Sequence, residues 1–100
     1  MPTTDIQLDE KIVVKISEPR QWKVILLNDD TTPMEFVVAL LTSIFKHTED
    51  SARAVMLEVH ETGSGIAGIY SFEIAEAKAV EATNLARGNG HPLQIKLEEE

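Results

Sequence analysis

One hundred residues, 43% of them hydrophobic, suit one compact domain with a single core and leave no room for a second. Seventeen acidic against nine basic side chains give a formal charge of −8, which repels nucleic acid and anionic lipid, so a macromolecular partner is expected to be protein. The absence of cysteine excludes a disulfide framework, a thiolate metal site and a cysteine nucleophile. No apolar run approaches the roughly 20 residues that cross a bilayer, and the first residues lack the basic flank and apolar run of a signal peptide. The cytoplasm is the expected location.

Residues 1–20 mix isolated apolar residues with charges and two prolines around the β-prone run Ile12-Val13-Val14-Lys15-Ile16, and are expected to form a flexible arm. The short branched run Trp22 to Leu27 predicts a first strand, stopped by the turn-forming side chains of Asn28-Asp29-Asp30. Thr32-Pro33-Met34-Glu35 predicts a helix start, with a hydroxyl cap, proline at the first helical position and Glu two residues on. Met34, Val37, Val38, Leu41, Ile44 and Phe45 then recur at spacings of three and four, the stripe of a helix with one buried face.

Thr48 followed by Glu49 and Asp50 predicts a second capped helix, with Ala52, Val55, Met56 and Val59 inward and an end near Gly63. Gly65 to Tyr70 is expected to be a second strand and Ser71 the cap of a third helix running to about Arg87, which Gly88 and Gly90 terminate. Leu93, Ile95 and Leu97 alternate with polar residues as a last strand, and the acidic end beyond is expected to be a solvated tail. The order β-α-α-β-α-β predicts an α+β fold, a three-stranded antiparallel sheet packed against three helices, with residues 21–98 as its core domain and 99–100 as the tail. Strand order is not legible in these patterns.

Chemistry is sparse. Asn28-Asp29-Asp30-Thr31-Thr32 is the densest polar cluster, and on local evidence it reads first as a turn held by its own side chains. Pro33 follows where a calcium loop needs glycine and later acids, and His47, His60 and His91 match no zinc spacing, so no metal or other cofactor is expected. No motif supplies an activated nucleophile, so the chain is not expected to be an enzyme.

Three blocks in register, Asn28-Asp29-Asp30 with Thr32-Pro33-Met34-Glu35-Phe36-Val37, then Met56-Leu57, Val59-His60 and Gly63, then His91-Pro92-Leu93, closely resemble the ClpS family. The resemblance covers roughly Trp22 to Leu97. It implies a monomeric adaptor of the N-degron pathway, which binds proteins whose first residue is Leu, Phe, Tyr or Trp and delivers them to a ClpA- or ClpC-type AAA+ unfoldase for degradation by ClpP. It also implies the residue roles. Asn28 and His60 accept hydrogen bonds from the substrate's α-ammonium, and Asp29 acts at slightly longer range. Asp30, Thr32, Met34, Val37, Met56, Val59 and Leu93 form the side-chain pocket, with Met34 as the gatekeeper that rejects Ile and Val. Glu73 and Lys78 contact the N-terminal domain of the unfoldase, and the arm engages it during transfer. Thr31 stands where an aromatic residue is often found. The alternative is a ClpS-like regulator that occupies the unfoldase and changes its substrate choice without delivering N-degrons.

Overall fold

The computed structural model describes residues 20–100, so the expected arm lies almost wholly outside the described residues. Among the described residues six elements follow in the expected order: β1 (Gln21–Leu27), α1 (Met34–Ser43), α2 (Glu49–Thr62), β2 (Ser64–Ser71), α3 (Phe72–Gly88) and β3 (Gln94–Glu99). The strands form one antiparallel sheet in which β1 is central, giving the order β2-β1-β3. The fold is α+β, as the alternation of periods predicts.

In the central strand β1, Val24 and Leu26 are wholly buried and join Val37, Val38, Leu40, Leu41, Ile44 and Phe45 of α1 and its C-terminal turn in one core. Each of those branched or large side chains contributes about 1.5–3 kcal/mol on leaving water. From α2 the core takes Ala52, Met56 and Val59, and from α3 the small residues Ala75, Ala82 and Ala86, which let that helix lie close to the sheet. Gly65 answers the same demand on β2, since a Cβ there would lie 2.8 Å from Val59 Cγ2.

The structure corrects several expectations. Met34 is 42% exposed rather than buried, and Leu40, left out of the predicted stripe, is completely buried. The N-cap of α1 is Pro33 with no side-chain hydrogen bond, so Thr32 does not cap the helix and Glu35 completes no capping box. Ser71 likewise makes no side-chain cap, being the last residue of β2 and paired with Gln21. Of the two glycines expected to end α3, Gly88 is helical and Gly90 supplies the left-handed turn at φ 78°. The acidic end is not a loose tail: β3 continues through Glu99, which pairs with Trp22 and forms an ion pair with Arg20 at 2.8 Å, and the Glu100 N–H donates to the Gln21 carbonyl.

Candidate functional site

The site is a corner where the end of β1, the start of α1 and the end of α2 meet. Asp29 organises the first wall. Its Oδ1 accepts from the Thr31 and Thr32 backbone N–H groups, both at 2.8 Å, and from the Thr31 hydroxyl at 3.1 Å, while its Oδ2 accepts from the Thr32 hydroxyl at 2.7 Å. The Thr32 hydroxyl therefore serves the turn instead of the helix. Partial burial pushes the Asp29 carboxyl up, but the four hydrogen bonds outweigh it and hold the group below the usual carboxylate range, so the corner carries a fixed negative charge at neutral pH.

A backbone bond closes the corner. The Asn28 N–H donates to the Gly63 carbonyl at 2.9 Å, which ties the end of β1 to the end of α2. Gly63 takes φ 99° there, a left-handed conformation that glycine adopts without strain, and its own N–H returns to the Val59 carbonyl at 3.0 Å. Asn28 is thereby placed beside the last turns of α2, where His60 is exposed.

Between these walls lies a cavity of about 170 Å³, lined by Asn28, Asp29, Asp30, Thr32, Met34, Val37, Met56, Val59 and His60. Its floor is shared with the core, since Val37, Met56 and Val59 are only 6%, 7% and 3% exposed. Polar groups gather on the side of the β1 turn and His60, and the apolar groups come from α1 and α2. Such a cavity can take a short apolar group with a cation at its root. Met34 stands in the first turn of α1, which explains both its departure from the buried stripe and its position in the wall.

Nine of the ten residues that the resemblance assigns to the substrate come together here. Leu93 does not line the cavity; it is 1% exposed in the core. The two residues assigned to the unfoldase lie apart from it on α3. Glu73 is exposed in the first turn, whereas the Lys78 ammonium donates to the Ile44 carbonyl at 2.9 Å, at the C-cap of α1, and lies 5.5 Å from the centre of the Tyr70 ring. The histidines are similarly dispersed. His47 bridges the Ser51 hydroxyl and the Ala67 carbonyl, His91 packs edge-on against Phe36, and His60 alone faces the cavity. Among the described residues no group of three or more potential metal ligands is assembled.

The family model described as ATP-dependent Clp protease adaptor protein ClpS matches residues 17–96. The chain belongs to the ClpS family. Its members are adaptors of an ATP-dependent protease and are not catalysts. Curated ClpS adapter proteins of Bdellovibrio bacteriovorus and Shewanella halifaxensis are 49% and 46% identical, over 90% and 93% of this chain and 79% and 91% of their own lengths. A solved structure of Agrobacterium tumefaciens ClpS2 bound to L-phenylalaninamide is also similar. It has a TM-score of 0.80 and 44% identity over 83% of this chain and all of that one.

Sequence reasoning missed the residue that spans the outer edge of the corner. The Arg53 guanidinium of α2 bonds both carboxylate oxygens of Glu35 in α1, at 2.9 and 3.2 Å, and the Glu49 carboxylate one turn back on its own helix, at 3.0 and 3.2 Å. The spacing from Glu49 to Arg53 was a readable i,i+4 signal; the bridge to Glu35 had none, because its partners are 18 residues apart on different helices.

Proposed function

We propose that this ClpS-family chain is an N-degron adaptor, which holds proteins by a free, bulky hydrophobic first residue and delivers them to a ClpA- or ClpC-type AAA+ unfoldase for degradation by ClpP. The observation that carries the reading is the cavity lined together by Asn28, Asp29, Met34 and His60. An α-ammonium has three donors and needs acceptors in a small space. Exposed Asn28 and His60 supply an amide oxygen and a ring nitrogen, while Asp29, whose oxygens are engaged by Thr31 and Thr32, acts as a fixed charge rather than a first partner.

The first side chain enters among Asp30, Thr32, Met34, Val37, Met56 and Val59. An apolar cavity of about 150 Å³ is enough to hold benzene, so the volume here suits a Phe ring or a Leu side chain. L-Phenylalaninamide, the ligand of the Agrobacterium relative, combines the same two elements of an α-amine and a phenyl ring. Burial of one such side chain contributes about 1.5–3 kcal/mol, which alone leaves binding weaker than about 1 mM, so side chain and ammonium must act together. Met34 crowds the Cα of the bound residue and rejects branching at Cβ. Leu93 supports this pocket from the core, and Glu73 and Lys78 contribute the α3 surface that meets the unfoldase N-terminal domain.

Fluorescence anisotropy with peptides differing only in residue one tests this, with and without the unfoldase N-terminal domain. Free Leu, Phe, Tyr and Trp should bind, and Ile, Val and acetylated Leu should not. Equal binding across the panel would overturn the pocket, and absence of a ternary complex would overturn delivery.

A further inference from the structure

The start of α1 is held in an unusual way. Its N-cap is Pro33, no side chain caps it, and only the Phe36 and Val37 N–H groups return to the Pro33 carbonyl, at 3.1 and 3.3 Å. The first turn of an uncapped helix is the part that frays. That turn contains Met34, which is also the most exposed apolar residue of the cavity wall. A gate on a fraying turn selects poorly, because side-chain rejection depends on how closely its atoms are held.

Arg53 compensates from across the cleft. Glu49, at i−4 on α2, orients the guanidinium, whose fork then takes both oxygens of Glu35, the residue next to Met34. A bidentate pair fixes angle as well as distance, which a lysine could not do. The hydrogen bonds and charge of Arg53 hold the Glu35 carboxyl below its usual range, so the pair stays ionised at neutral pH. Arg53, Met56 and His60 recur at helical spacing on α2, so the link closes the same cleft whose walls α1 and α2 supply.

We infer that the Arg53–Glu35 pair is a latch that fixes the first turn of α1, making Arg53 a positioning residue that sets how strictly Met34 rejects β-branched first residues. This rests on the pocket reading above. Being solvent-exposed, the latch is worth little in overall stability and is weakened by salt, so its effect lies in selectivity.

The test measures the ratio of Kd for Ile-first and Leu-first peptides in the full chain, for wild type, Arg53→Met, Glu35→Gln and Glu49→Gln. Arg53→Met and Glu35→Gln should each lower the ratio about two- to fivefold, and together no further, the range an exposed pair can supply. Glu49→Gln, which leaves the bridge between helices in place, should change it less. Moderate salt should lower the wild-type ratio towards that of the variants and leave theirs unmoved. Hydrogen exchange gives a readout that needs no peptide: the Phe36 and Val37 amides should exchange faster in Arg53→Met. Unchanged ratios and unchanged exchange in a wild type that prefers Leu over Ile would overturn the latch alone. A wild type that does not prefer Leu would overturn the pocket reading and the latch with it.

Discussion

The starts of α1 and α2 carry the same signal in sequence, a threonine just ahead of an acidic first turn, yet they are built differently. Thr48 caps α2 by accepting from the Ser51 N–H at 3.1 Å, whereas the Thr32 hydroxyl, next to Pro33, donates to Asp29 and leaves α1 without a side-chain cap. A hydroxyl at a helix start therefore marks the boundary without deciding its own partner. Where a carboxylate stands three residues upstream, the charge-assisted bond wins, because it is roughly twice as strong as the neutral one. The cap forms at α2 and fails both at the cavity and at α3, where Ser71 is the last residue of β2, so an uncapped start does not by itself mark a binding site.

The largest stability change should come from Asp29→Ala. It leaves the Thr31 and Thr32 amides and two hydroxyls without their shared acceptor, a loss of roughly 2 kcal/mol in urea unfolding, and peptide binding should go with it. Thr48→Ala should cost about 1 kcal/mol, the usual worth of a cap, and leave peptide affinity unchanged.

Thr32→Val separates the two starts by pH. Folding depresses the Asp29 pKa, so the stability this group contributes is complete above its ordinary value of 3.8 and is lost as pH falls through the lower folded value. Removing the Thr32 hydroxyl raises the folded value and shrinks that contribution, by about 0.5–1 kcal/mol at neutral pH. The difference in melting temperature between wild type and Thr32→Val should thus shrink as pH falls below 3.8 and vanish once it is below the folded value, while that for Thr48→Ala, whose bond involves no carboxylate, persists. Persistence of both would return Thr32 to a capping role.

What was legible in sequence follows the reach of each interaction. Elements were readable because their signals are local: the run Trp22 to Leu27, the cap at Thr48, the glycine at 63 with its left-handed turn. Strand order was not, because the choice of β1 as centre depends on pairing with residues 37 or more positions away. Met34 was misplaced in the buried stripe because periodicity states which face a residue shares and not whether the turn overhangs a cavity. Lys78 has a role in the sequence only through the resemblance, and its bond to the Ile44 carbonyl is invisible without the fold that brings α3 to the C-terminal end of α1. The polar corner itself read as a turn, correctly for Asp29, whose contacts are all within three residues. Its meeting with Met56, Val59 and His60 depends on long-range partners, the backbone bond between Asn28 and Gly63 and the core that Val37 shares with Met56 and Val59.

The smallest stability change and a large binding change should coincide in His60→Ala. His60 is exposed near the end of α2, so truncation removes no packed volume and should alter unfolding by less than about 0.5 kcal/mol. Its ring nevertheless supplies an acceptor to the ammonium under the proposed function, and a hydrogen bond to a charged group is worth about 1.5–3 kcal/mol, so affinity for a Leu-first peptide should fall about tenfold or more. Thr48→Ala, on the same helix, should do the reverse, lowering stability and sparing affinity. The two variants thus cross in a plot of unfolding free energy against anisotropy Kd. If His60→Ala instead lowered both in proportion, the histidine would be a structural end of α2, and recognition of the amine would fall to Asn28 and the Asp29 charge.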